Sequence, residues 1–553
     1  MNRAILAGVF ALLPACGSSV KEIDATQDAI AFLSGTVLNS QEMESTLTTI
    51  HVQNGIIVSS LATQTIASDA ALPSADLYTP GFVDAHAHPM GLGRALSQLD
   101  LTGLATYADT LNKVSGQSAN TVLQGRGWDQ NNWTDSPPGG WPLATDLEQR
   151  SPKVPAILTR VDGHAAWLNT TALEQAGIDA KTPDPPGGKI IRDASGNPTG
   201  VLVDQAMELI QWPDSNPADR KHWIQTALQA MAQAGLTGAH AMGMSDLTVE
   251  TYLELEGAQE LPLNIWAFVS PGTQAAEQLL KDGPIRGETF HRVGIKVLAD
   301  GALGSRGAFL SQPYADAPES RGLPMYTEEE VTQLASRCLA AEVILAVHAI
   351  GDESVHQTLN AFEKARKAHP DKIHVPLRIE HAQIVRDEDV ARFKALHVFA
   401  SMQPTHATSD MDWAEARLGP ERIQWSYRWR DLLNANAPLA LGSDFPVEDV
   451  RPELGVWAAL TRRDRAGNPP GGWRPEQRLT LAETVRGFTL GAAEAVGFEK
   501  ETGQLSAGWR ADLTLWRKGR IHDEDSYVPT GTIVGGVAIW LEENATGQNI
   551  DSK

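Results

Sequence analysis

Apolar runs ending in a polar residue recur along most of this chain, and between them lie stretches whose apolar positions repeat at helical spacing. That alternation predicts βα units around a parallel sheet, because strands covered on both faces read as continuous apolar runs. Eight runs suit barrel strands: residues 81–88, 236–242, 263–270, 293–300, 343–348, 376–381, 398–403 and 438–444. The fold class expected is therefore α/β, a (β/α)8 TIM-like barrel, with its working face at the C-terminal strand ends. Residues 46–60 alternate around Asn54-Gly55, a strong hairpin signal, and 29–40, 505–516 and 531–540 also read as strands. The two chain ends are thus expected to form one composite β-sandwich domain, residues 27–80 plus 501–545. Residues 121–204 fall outside the eight-fold count, with strand-like runs at 121–125 and 154–159 and Pro-rich loops, and are read as an inserted subdomain. The barrel itself then takes residues 81–120 plus 205–500.

Composition narrows the partners. The 553 residues are 42% hydrophobic and carry a formal charge of −23 without a basic stripe, which argues against nucleic acid. Arg3 and the apolar residues 4–13 read as an export signal spanning 1–15, too short for a stable transmembrane helix. The ending Leu13-Pro14-Ala15-Cys16 resembles a bacterial lipobox, although Pro14 is unusual there. The expectation is an exported protein of the periplasm or cell envelope, touching the membrane only through a lipid on Cys16. Cys338, the other cysteine, sits in an apolar helical pattern and reads as a buried small hydrophobe, so no disulfide framework exists.

The chemistry is carried by the strand ends. In the run Pro80 to His88, His86 and His88 are two apart, and side chains two apart in a strand share a face. Three further strands end in a ligand type, at His348, His381 and Asp444. Imidazole and carboxylate suit zinc, and by type also iron, manganese or nickel. Lys296 lies inside the fourth strand, where it reads either as the partner of an ion pair, Asp300 included, or as a carbamylated lysine bridging two metals.

These features resemble the amidohydrolase superfamily, in the order His-x-His, lysine, histidine, histidine, aspartate. The segments Arg126 to Trp133, Asp162 to Asn169, Ala299 to Arg306, His348 to Asp352, Glu380 to Gln383 and Gly442 to Val447 are similar to its YtcJ-like branch, which includes N-substituted formamide deformylases. The resemblance implies one or two Zn2+ or similar ions at His86, His88, His348, His381 and Asp444, with Lys296 as a carbamylated bridge. It implies hydrolysis of a small-molecule amide or formamide-like C–N bond by metal-activated hydroxide, with Asp444 shuttling the proton. In that mechanism His164 or a metal stabilises the oxyanion, although His164 could equally be a scaffold residue. Trp128, in the insertion with Trp133, Trp141 and Trp167, is a candidate to roof the substrate or to pin its loop. Asp300, Arg306 and Gln403 are read as substrate contacts or as structural hydrogen-bonding residues. The competing class is an exported metal-containing lipoprotein that binds or senses a small ligand without turnover.

Overall fold

All eight apolar runs become strands of one parallel sheet: β1 (Phe82–Ala87), β2 (Leu236–Met244), β3 (Asn264–Val269), β4 (Phe290–Leu298), β5 (Ile344–Ala349), β6 (Leu377–His381), β7 (Val398–Met402) and β8 (Leu439–Leu441). In this computed structural model each strand pairs with the next in chain order. The circle is closed at the rim, where the Asp444 amide donates to the His86 carbonyl at 2.7 Å and the His88 amide to Phe445 at 2.9 Å. Helices lie outside, packed on the strands through apolar faces, as the sequence pattern requires. The structure describes residues 30–32, 36–37, 48–62, 75–115, 122–210, 216–521 and 524–542. The signal-like residues 1–15 and the lipidation candidate Cys16 lie outside these. Among the described residues no helix is long and apolar enough to cross a membrane.

The chain ends meet in the composite β-unit expected of them. Leu77–Pro80 lies beside Leu513–Ile521, which continues into Glu524–Val534 and Val537–Leu541. A second sheet pairs Ile30–Phe32, Thr48–Gln53 and Ile56–Ala62. Ile50, Val52 and Ile57 of this sheet share a core with Tyr78, Leu513, Leu515 and Ile533 of the other. Asn54 and Gly55 both have positive φ, 52° and 79°, as the two-residue hairpin demands. The strand expected from 505 begins only at Leu513.

The inserted unit is a six-stranded sheet ordered Gly188–Arg192, Pro198–Asp204, Ala165–Leu168, Ala156–Arg160, Leu123–Trp128, Leu99–Asp100. Its last strand lies upstream of position 121. Trp128, Trp133, Trp167 and Tyr107 pack together in its core, and the Trp128 indole donates to the Leu158 carbonyl at 2.7 Å. Trp128 is fully buried and does not face a cavity, so the substrate-roof reading is corrected: this indole pins the insertion. Cys338 is a free, buried thiol, pushed up to about 12 by its apolar surroundings.

Candidate metal and active site

At the mouth of the barrel, His86 is aimed by what holds its other nitrogen. Its Nδ1 lies 2.6 Å from Glu380 Oε2, which turns Nε2 towards Asp444 Oδ1 at 3.5 Å. His88 bonds the Met242 carbonyl through Nδ1 at 3.2 Å and brings Nε2 to 3.1 Å from the same Oδ1. His381 is oriented through Nδ1 by Gln403 Oε1 at 2.9 Å, and its ring centre lies 4.7 Å from that of His86 and 4.5 Å from that of His348. His381 and Asp444 both have left-handed backbones, φ 71° and 63°. Such conformations are uncommon for non-glycine residues and here turn each side chain off its strand into the mouth. The Asp84 carboxylate fixes the turn before Asp444, accepting the Ser443 amide at 3.0 Å and hydroxyl at 2.6 Å. Burial pushes Asp84 up to about 7, with those hydrogen bonds opposing.

Sequence reasoning missed His406. It stands on the helix Pro404–Asp410 just past β7, its Nε2 3.8 Å from Asp444 Oδ2. Among the described residues two groups of ligand atoms result, His86/His88/Asp444 and His381/His406/Asp444, each with its atoms within 4.8 Å of one another. Asp444 belongs to both. His406 lies three positions beyond the apolar run 398–403, outside any strand-end pattern. The available signal was Pro404, a first-turn helix residue that brings the chain back over the mouth. His86 Nε2 and His406 Nε2 are buried without a hydrogen-bond partner. Buried lone pairs of this kind are ordinarily satisfied, and imidazole with carboxylate is the donor set of a divalent cation, so the residues fit one.

Electrostatics agree with that fit. Burial pushes His86 down to about 4 and His348 and His381 well below the usual histidine range, leaving neutral imidazoles with free lone pairs. Burial works against the charge of Asp444, but the His86 and His88 rings beside it outweigh this and hold it below the carboxylate range. His348 stands back from both groups, its Nε2 3.5 Å from the Gly301 carbonyl. Lys296 is buried in the same cavity, and no carboxylate of the described residues lies within 4.0 Å of its amine. Burial pushes its pKa down despite the pull of Glu380 and Asp444.

The ion-pair alternative with Asp300 is therefore overturned. Asp300 is spent on backbone amides, those of Phe309 at 2.8 Å, Ile350 at 3.0 Å and Gly351 at 2.8 Å, so it organises loops and faces no cavity. Gln403 likewise orients His381 and does not reach the substrate space. Arg306 pairs with Asp316 at 2.9 Å away from both cavities. Of the two readings open for these three residues, the contacts they make are those of the structural one. Also missed was Arg378, fully buried beneath the site, which donates to Glu380 Oε1 at 2.7 Å, the Ala85 carbonyl at 2.7 Å and Ser401 Oγ at 2.9 Å.

His164 does reach the site. Its Nδ1 lies 2.6 Å from Asp204 Oδ1 and its ring centre 5.2 Å from that of His348. Burial disfavours its charge, but the Asp204 hydrogen bond outweighs this and raises it to about 9. A histidine raised from its unfolded value of about 6.5 stabilises the fold fully below that value and progressively less as pH rises through the folded one. Replacing His164 by asparagine should therefore destabilise the protein more at pH 6 than at pH 10, as read from urea unfolding of both proteins. An equal deficit at the two pH values would show that the pair does not carry a proton.

Two cavities, about 480 and 640 Å³, meet over these residues and share Arg126, Asp162, His164, His348, His381 and Asp444. Compared with known proteins, residues 76–539 match the amidohydrolase family. The Bacillus subtilis protein YtcJ, described as an amidohydrolase, is 33% identical over 79% of this chain and 83% of its own length. An N-substituted formamide deformylase of Arthrobacter pascens is 26% identical over 82% of this chain and 87% of its own. Among solved structures, an uncharacterized metal-dependent hydrolase of Pyrococcus furiosus superposes with a TM-score of 0.66 at 26% identity, covering 87% of this chain and 97% of that one.

Proposed function

The chain belongs to the amidohydrolase family, and from that membership we propose that it is a metal-dependent hydrolase of an amide or formamide-like C–N bond in a small molecule. One observation carries the reading: the buried, unpartnered Nε2 atoms of His86 and His406 face the two oxygens of the Asp444 carboxylate, at 3.5 Å from Oδ1 and 3.8 Å from Oδ2, at the mouth of the barrel. His86, His88, His381, His406 and Asp444 would hold one or two divalent ions, zinc by donor type. A bound cation supplies Lewis acidity, polarising a carbonyl and lowering the pKa of water from about 15.7 to about 7.

The protein's own groups do the rest. Asp444, ionised at neutral pH, accepts the proton of the attacking water and returns it to the departing nitrogen, which leaves poorly unless protonated. His164, whose Nδ1 is held by Asp204, offers its other N–H to the carbonyl oxygen as negative charge develops there. Lys296, kept towards its neutral amine by burial, is suited to carbamylation, in which Nζ bonds to the carbon of CO2 and loses a proton.

The test is elemental analysis of the purified chain with a hydrolysis screen over formamides, acyl amino acids and cyclic amides. One or two equivalents of metal are expected, with turnover lost to a chelator and restored by the metal. Stoichiometric metal without turnover across the panel would favour a binding protein instead.

A further inference from the structure

Arg126 opens onto both cavities beside Asp444 and His164, in the segment Arg126-Gly127-Trp128-Asp129 that the proposed mechanism leaves unused. Among the described residues no carboxylate lies within 4.0 Å of its guanidinium. Nη2 donates to the Val161 carbonyl at 2.7 Å, while Nε is buried without a partner. The acidic neighbours are already committed. Asp129 and Asp162 both pair with Arg160, and Asp162 also accepts the His164 amide at 3.0 Å. Gly163, at φ 77°, leaves the guanidinium uncovered: a Cβ there would sit 3.7 Å from Nη1. Burial of this charge pushes the pKa of Arg126 down. Such a group is costly to keep unless a partner completes it.

We propose that Arg126 binds a carboxylate of the substrate, so that the compound hydrolysed is an amide carrying a carboxylate close to the scissile bond; this rests on the hydrolase reading above. The planar guanidinium presents paired N–H groups that match a carboxylate. A phosphate dianion fits less well than a carboxylate, because Arg126 offers a single positive charge and Asp444 lines the same space. The remainder of the substrate is apolar. Five of the chain's ten methionines, Met90, Met207, Met242, Met244 and Met325, line the cavity of about 480 Å³, and thioether side chains adapt to apolar groups of varied shape.

The experiment uses the full metal-loaded chain with N-formyl and N-acetyl derivatives of both leucine enantiomers, set against the same derivatives of 3-methylbutylamine, which lacks only the carboxylate. The wild type is expected to favour one carboxylate compound by at least about tenfold in kcat/KM, since a site built to bond a group discriminates against its absence. Arg126→Ala should collapse that ratio towards one, chiefly by raising KM for the carboxylate compound, and Arg126→Lys should restore part of it. A preference that survives Arg126→Ala, or a wild type that favours the neutral amides, overturns the proposal. Hydrolysis of other amides without either of these sets overturns the carboxylate claim alone. Absence of any amide hydrolysis by the metal-loaded chain removes the hydrolase reading with it.

Discussion

Replacing Asp444 by asparagine is expected to lower kcat by about a thousandfold, within the range general acid–base groups contribute, while the protein stays folded. The amide keeps the volume and the Asp444 backbone bond to His86, so closure of the barrel is preserved. What disappears is the carboxylate: the proton acceptor for water, the donor to the leaving nitrogen, and the anion common to both ligand groups. The loss should fall on kcat more than KM, because the carbonyl-bearing compound still meets Arg126, His164 and the methionine-lined cavity. Steady-state kinetics with circular dichroism and metal analysis of the same preparation check it. A variant that keeps near-normal turnover would remove Asp444 from the chemistry.

The barrel was legible because strands buried on both faces leave unbroken apolar runs, and all eight were located from sequence. The strand-end residues His86, His88, His348, His381 and Asp444, which all line the smaller cavity, were legible from ligand types recurring at the ends of four separate runs. His406, Arg378 and Glu380 were not. His406 lies on a helix, outside any strand-end pattern. Arg378 and Glu380 are charges inside an apolar strand, intelligible only once His86, far away in sequence, is seen to rest on Glu380. The two readings of Asp300, Arg306 and Gln403 stayed open in the sequence for another reason. Asp300, Arg306 and Gln403 sit at strand ends or in the loops beyond, as a ligand would, but strand position does not say whether a side chain turns to a cavity or to nearby backbone. Arg126 shows the converse, a residue noticed only as part of a resembling segment whose lack of a carboxylate partner is visible in three dimensions alone.

Arg378→Met should destabilise the fold by about 3–5 kcal/mol, because it removes one partner of a fully buried charge pair and leaves the other uncompensated. Arg378 and Glu380 are both solvent-free, and the Arg378 guanidinium also stands 2.9 Å from His240 Nδ1. Burial alone would raise Glu380, yet Arg378 and His86 hold it far below the carboxylate range. A carboxylate depressed in the folded state stabilises it above the unfolded pKa and loses that contribution as pH falls through the folded value, so the deficit of Arg378→Met belongs to neutral pH and shrinks in acid. Methionine replaces most of the lost volume, which separates the electrostatic effect from a cavity. Removing the stranded charge as well, in Arg378→Met with Glu380→Gln, should recover much of the stability. It should not recover metal affinity, because Glu380 is also what turns His86 Nε2 towards Asp444, and loss of such a supporting partner costs about 10–100-fold in binding. Urea unfolding and metal titration of the two variants separate these effects, and a double variant no more stable than Arg378→Met would refute the stranded-charge account.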